Sequence, residues 1–337
     1  NFMNWLINTA RKDKCQHLWF LAREGYFLNS LYELIIRHPD FQEIRAELPR
    51  NSYFLCSTRT AIFASFRSED DIPQLMDGLF IGSLRDFFTK RLVTTAINQI
   101  EDRLGTETLD REVSLVKDRD FIFTALREVT DILVEEATKE RAILRKYCEN
   151  EGFDSNNRIG VVDLGYSGTI QHALSAFLNH PIDGYYFVTQ KGAKKLASAG
   201  LHYRAYFGQQ VDLSPRKCPI FHYSLLLEAV LTAPTGQLIR FDANPAGDPV
   251  PVFKGGGISQ RNFSRIGRIH EGISAYIQEM LDEFGKRALD IEFPIDLVQV
   301  CYEHVMSGDI DIGSLESVLS DEDQYSGLDE ISPLEYY

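Results

Sequence analysis

The sequence is short of positive charge. Its 35 Lys and Arg stand against 49 Asp and Glu, a formal net charge of −14. Nonspecific binding to nucleic acid is excluded by that balance, whereas a small anionic ligand is not, because local loops and individual Arg side chains decide that contact. Long hydrophobic runs are also missing. No stretch reaches the ~20 apolar residues of a membrane-spanning helix, and no secretory leader is visible. Cysteine is sparse: five residues, at 15, 56, 148, 218 and 301, with no Cys-x-x-Cys pair and no metal spacing. We read them as reduced, buried or half-buried thiols of a cytoplasmic protein. The run Gly255-Gly-Gly257 lacks a following Lys-Ser/Thr, so it is a turn or hinge and not a nucleoside-triphosphate loop. No internal repeat is present. The chain opens at Asn1 without an initiator Met, and we expect a piece of a longer protein.

What is present is a chain of strand–loop–helix units. With 337 residues and 44% hydrophobic composition, it is long enough for one large domain or two smaller ones. The central unit is Arg158-Ile-Gly-Val-Val-Asp-Leu-Gly-Tyr-Ser-Gly-Thr169. An apolar run, Ile159 to Val162, predicts a buried strand. It ends in a carboxylate, Asp163. Gly165, Ser167, Gly168 and Thr169 follow, and then a periodic helix from Ile170 to Leu178. This order suits a phosphorylated ligand. The first N–H groups of a helix have no partner inside it, and its dipole favours an anion there. Glycine lets backbone approach the anion and permits positive φ. Ser167 and Thr169 can donate hydroxyl bonds, and Asp163 can hold ribose hydroxyls or a hydrated magnesium ion. The plainer reading is a tight turn whose hydroxyls only cap the helix.

Two further units repeat the order. His17 to Ala22 predicts a strand running into Arg23-Glu24-Gly25 and a helix from Tyr26 to Ile36, ended by Pro39. Arg suits bidentate binding of phosphate; the alternative is that Arg23 and Glu24 pair with each other. Tyr53 to Cys56 predicts a strand ending in Ser57-Thr58-Arg59-Thr60, before a helix over 61–66. Three polar strand ends with compatible chemistry fit the rule for open α/β sheets, in which ligands bind where the strands' carboxyl ends meet.

Between Glu69 and Gly152 strand signals vanish and helical periodicity takes over, notably from Phe121 to Cys148, so we expect a helical insertion. Another strand is expected over Asp183 to Thr189, followed by lysines on a loop (Gln190 to Lys195). A helix over 221–231 carries Glu228 among apolar residues. A hairpin is expected from Gln237–Phe241 and Val250–Phe253, with helices over 258–284 and 295–305. Ser320 to Tyr337 reads as a loosely docked acidic tail. The expected division is a core of residues 1–68 and 153–257, an insertion of 69–152, a C-terminal helical region of 258–319 and a tail of 320–337. The expected fold is α/β: an open, mostly parallel sheet of Rossmann-like type.

The segment Val161-Val-Asp-Leu-Gly-Tyr-Ser-Gly-Thr169 resembles the phosphoribosyl-pyrophosphate loop of type I phosphoribosyltransferases. Phe20-Leu-Ala-Arg-Glu-Gly25 sits where that family has its pyrophosphate loop. The set Leu-Ala-Arg-Glu-Gly, Ser-Thr-Arg, Asp-Leu-Gly-Tyr-Ser-Gly-Thr-Ile-Gln and Gly-Tyr-Tyr is similar to a bacterial group often labelled haloacid-dehalogenase-like hydrolases, over roughly residues 15–240. In that group a phosphatase domain commonly precedes a phosphoribosyltransferase-like region that builds ribofuranose into surface polysaccharides such as O-antigen and capsule. Two departures stand out: the family's loop has two adjacent acids where this chain has Val162 and Asp163, and Ser167 replaces a Thr.

The resemblance implies phosphoribosyl transfer from phosphoribosyl pyrophosphate to a sugar hydroxyl, with inversion at C1. It implies donor binding by Arg23, Gly25, Arg59, Gly165, Tyr166, Ser167, Gly168 and Thr169, and catalysis by Asp163 and Glu24. Asp163 would be a ligand to Mg2+. Implied partners are a glycan or lipid-linked glycan acceptor and an associated phosphatase domain, with no nucleic acid. The implied location is the cytoplasm, at the inner face of the membrane. Three other readings compete: a methyltransferase, because Val-Val-Asp-Leu-Gly also suits a nucleoside loop; a phosphatase of haloacid-dehalogenase type, although no Asp-x-Asp-x-Thr motif is present; and a non-catalytic lobe of a larger polysaccharide enzyme.

Overall fold

A computed structural model describes residues 1–212, 218–307, 309, 317–319, 321–322 and 330–331. Its centre is a five-stranded, all-parallel sheet of Rossmann-like α/β type. The strands are β1 (His17–Leu21), β2 (Arg50–Phe54), β3 (Ile159–Asp163), β4 (Asp183–Gln190) and β5 (Tyr203–Val211), in the spatial order β2-β1-β3-β4-β5. Every residue of β1 is buried, as expected of an interior parallel strand covered on both faces.

Successive side chains of a strand point to opposite faces, and the two cores follow from that. Trp19 and Leu21 join Val161 and Phe54 on one face, while Leu18 and Phe20 join Val162 and Tyr185 on the other. The second face is covered by α1 (Phe2–Lys12), α2 (Gly25–Arg37) and residues of the long C-terminal helix Phe263–Phe284. The first face is covered by α3 (Thr58–Ser65), α4 (Thr130–Asn150) and α5 (Thr169–Leu178). The helix after β1 and the helix after β3 therefore lie on opposite faces of the sheet.

The insertion is helical, with one addition. Ile81–Ser83 and Glu112–Ser114 form a short antiparallel pair, too brief to leave an alternating signal. The periodic stretch from Phe121 to Cys148 forms two helices, Arg119–Glu128 and α4, separated at Val129. β2 begins and ends before the expected Tyr53–Cys56. It is an edge strand with exposed or half-buried Arg50, Asn51 and Ser52, so polar residues occupy half of it. β5 was not anticipated, because this second edge strand has no fully buried residue and carries Arg204, Gly208, Gln209 and Gln210. The hairpin is present as Leu238–Ala243 and Pro249–Phe253. It packs against α4, where Phe241 lies 4.4 Å from Tyr147 between ring centroids, so it joins the insertion more than the sheet. The expected acidic tail lies outside the described residues, apart from the pairing of Asp321–Glu322 with Glu330–Ile331. Cys15, Cys56, Cys148 and Cys218 are buried free thiols. Among the described residues no helix is long and apolar enough to cross a membrane.

One ion pair ties the insertion to the sheet's helical layer. Arg59, at the start of α3, is 5% exposed. Its guanidinium bonds both carboxylate oxygens of Glu140 on α4, donates to the Leu92 carbonyl at 2.6 Å, and lies over Phe63. Removing one member would strand the other's charge in a poorly solvated place. Arg59→Met should cost about 3 kcal/mol of unfolding free energy in denaturant titrations. Arg59→Met with Glu140→Leu should cost clearly less than the sum of the single losses; additive losses would contradict the pairing.

Candidate functional site

In an open parallel sheet of order 2-1-3-4-5, the crevice lies between β1 and β3, where successive connections leave for opposite faces. Here β1 and β3 pair directly, His17 with Ile159 through Phe20 with Val162. Arg23-Glu24-Gly25 leaves the carboxyl end of β1, and Leu164 to Gly168 leaves the carboxyl end of β3. The two loops singled out in the sequence therefore face one crevice.

The β3 loop is built against β4. Leu164 and Tyr166 accept backbone bonds from Val188 and Gln190, at 3.2 and 2.9 Å. Gly165, at φ +149°, passes so close to β4 that a Cβ there would sit 2.3 Å from the Val188 oxygen. Gly168, at φ +66°, is the N-cap of α5, and a Cβ there would meet Leu196 at 2.4 Å. Both positions require glycine, for backbone conformation and for space. Among the described residues no side chain caps the first turn of α5, so the plain capping reading of Ser167 and Thr169 does not hold.

The two hydroxyls are instead held by the segment after β4. Ser167 Oγ accepts from Gln190 Nε2 at 2.6 Å, and Gly192 packs beside it. Thr169 Oγ1 accepts from Lys195 Nζ at 2.8 Å, while the same ammonium reaches Asp77 of the insertion at 3.0 Å. Lys195 thus brings a cation to the start of α5. In the sequence it is one of several lysines on a loop, and its position after the carboxyl end of a strand is the signal that sets it apart.

Asp163 ends β3 beside Glu24. Burial raises its carboxyl well above the usual range, to about 8, and the charge of Glu24 adds to the rise; N–H groups of Gly165 and Leu164 oppose it. The phenol of Tyr166 donates to Glu228 Oε1 at 2.6 Å, and its ring packs on Phe221. This brings Glu228, noticed in the sequence as a helix-borne acid, to the same loop. Tyr53, next to the last residue of β2, lies within electrostatic reach of Arg23 and Glu24, with its buried hydroxyl beside the side chain of Thr235. Arg23 and Glu24 are themselves half-buried. Gly25 packs against β1, since a Cβ there would lie 2.5 Å from the Phe20 carbonyl carbon.

The structure therefore gathers Arg23, Glu24, Gly25, Asp163 and residues 165–169 at one place. Arg59 is the exception: its guanidinium is engaged by Glu140 and Leu92 in the protein interior, which corrects the expectation that it contacts a ligand's pyrophosphate.

A magnesium ion fits these residues in one way only. Mg2+ keeps most of its waters and is bound through one or two carboxylates plus substrate phosphates. Asp163 and Glu24 supply two neighbouring carboxylates whose mutual repulsion a cation would relieve. Among the described residues no group of three or more His, Cys, Asp or Glu could hold a metal alone. The chemistry suits an ion that arrives with its anion. No protein-family model matches the chain, and no curated protein matches it.

The raised Asp163 pKa has a signed consequence. The unfolded chain releases this proton near the ordinary Asp value of ~3.9, whereas the folded chain keeps it to about 8. The folded state therefore binds more protons between those values, and Asp163 lowers stability progressively as pH rises through that window. Asp163→Asn should gain stability relative to the native chain between pH 5 and about 8, read as a widening difference in urea midpoints. A constant difference across the range would show that Asp163 titrates normally.

Proposed function

We propose that this chain is a phosphoribosyltransferase. It would move ribose 5-phosphate from phosphoribosyl pyrophosphate to a hydroxyl of a surface-glycan sugar, releasing pyrophosphate with inversion at C1. The observation that carries this reading is the pairing of β1 with β3. It sets a glycine–hydroxyl loop suited to a phosphomonoester and an Arg-Glu-Gly loop suited to pyrophosphate on the two sides of one crevice. A donor with anionic groups at both ends of a ribose matches that spacing of roles.

In this reading the 5-phosphate sits against the first turn of α5. Free N–H groups, the Thr169 hydroxyl and the Lys195 ammonium neutralise it there. Asp163 accepts from the ribose hydroxyls. Arg23 forms a fork with the pyrophosphate, whose negative charge grows as the C1–O bond lengthens; a donor placed in advance stabilises that state most. Bound magnesium, held by Asp163 and Glu24 together with donor oxygens, would supply further charge neutralisation for the leaving pyrophosphate. C1 takes on oxocarbenium character, comparable to that in glycoside cleavage. The acceptor oxygen bonds to C1 from the opposite face as the C1–O bond to pyrophosphate breaks. The acceptor's proton passes to Glu24 or another crevice carboxylate, or to the departing pyrophosphate. The glycan acceptor, an associated phosphatase domain and a cytoplasmic location at the inner membrane face belong to the same proposal.

The assay is pyrophosphate release that depends on both donor and saccharide acceptor. Asp163→Asn should lower kcat/KM by roughly 10²–10⁴ while leaving the protein folded. An active Asp163→Asn protein would remove the assigned role. Arg23→Ala should weaken pyrophosphate binding by roughly tenfold or more and ribose 5-phosphate binding far less; equal losses for the two would place the pyrophosphate elsewhere. Thr169→Val should raise the KM for the donor with little change in kcat, and an unchanged KM would argue against a 5-phosphate contact at this hydroxyl.

A further inference from the structure

A second charged cavity lies at the other end of the sheet. It has a volume of about 770 Å³ and opens at the amino ends of β1 and β2, opposite the crevice described above. Arg11, Lys12, Lys14 and Arg50 line it, with Glu47 and the buried imidazole of His17. Four guanidinium or ammonium groups thus surround one cleft of a chain whose formal net charge is −14.

Neighbouring cations on the same edge show the contrast. Arg158 and Arg204 bond Asp183 and Asp13, two buried acids. Among the described residues, only Arg11 of the cleft's cations has such a partner, Glu47. Among the described residues no carboxylate forms an ion pair with Lys12, Lys14 or Arg50, all of which are exposed. The carbonyl end of α1 accounts for cations in its last turn, Arg11 and Lys12. It does not account for Lys14, on the turn that follows, or for Arg50, the first residue of β2. His17 adds no further positive charge near neutral pH, because burial lowers its pKa to about 4.

From this arrangement we propose that the cleft is a second anion site, which binds a small polyphosphorylated compound of nucleotide size. The volume lies within the range of small-molecule pockets. An Arg fork and two mobile ammonium groups suit phosphate oxygens distributed over more than one phosphorus atom. The site is independent of the transferase reading, since it uses none of the residues at the carboxyl ends of the strands.

The probe is inorganic tripolyphosphate without divalent cation, titrated calorimetrically into the full chain at low and at high ionic strength, with citrate as a carboxylate of comparable charge. Native protein should bind tripolyphosphate in preference to citrate, and more weakly as salt rises. The variant Lys12→Ser/Lys14→Ser/Arg50→Ser should lose at least roughly tenfold in affinity, and the corresponding triple Glu variant should lose measurable binding. All three positions are on the surface, so both variants should keep the native unfolding midpoint within a small margin; Asp163→Asn should leave this binding event unchanged. No binding to native protein, equal binding of citrate, or an affinity that survives the triple Ser substitution would each overturn the proposal. A loss caused instead by Asp163→Asn would assign the binding to the other crevice and also overturn it.

Discussion

The pairing of β1 with β3 is the constraint on which the rest depends. These strands are adjacent and parallel, yet they come from distant parts of the chain, and the helices that follow them cover opposite faces. Two loops must then leave the sheet side by side and diverge. The gap between them is a consequence of topology, and its contents are set by the residues at each strand end: Arg23, Glu24 and Gly25 on one side, Asp163 to Gly168 on the other. Interior strands supply the rigidity, because β1 and most of β3 are buried among apolar side chains on both faces.

A crevice made this way collects charge that water would otherwise solvate. Glu24 and Asp163 are close enough that one hinders ionisation of the other. Such a pair is costly to keep in a folded protein unless a proton, a cation or a ligand relieves it. Lys195 and Gln190 complete the other side by fixing the two loop hydroxyls. Asp77 links that cation to the insertion, and Arg59 with Glu140 joins the insertion to α3. The helical insertion is therefore tied to the start of α5 through Lys195 and Asp77, and to α3 through the buried pair of Arg59 and Glu140.

Much of this was legible in the sequence. Buried strands announce themselves by uninterrupted apolar runs, so β1, β3 and β4 were placed within a residue or two. The strand-end rule then located Arg23 and the glycine loop without knowledge of the fold. Edge strands were less legible because most of their residues are only half-buried: β2 appeared shifted and β5 was missed behind Gly208, Gln209 and Gln210. Arg59 was misassigned for a related reason. An Arg at a strand end looks alike in sequence whether it faces a crevice or a Glu about eighty residues later, and only the packing of α3 on α4 separates the two. Lys195 was underrated because its partner, Thr169, lies across a crossover. The basic cleft at the amino ends of β1 and β2 could not be seen at all, since Arg11, Lys14 and Arg50 come together only through strand pairing.

The most direct test of the central claim is a calorimetric titration of phosphoribosyl pyrophosphate, with magnesium, into native protein and into a variant that places alanine at Gly168. The account predicts a magnesium-dependent binding event in the native chain that is lost in the variant, because a Cβ at that left-handed position would reshape the start of α5. Magnesium-dependent binding that is absent from native protein, or that survives in the variant unchanged, would contradict it.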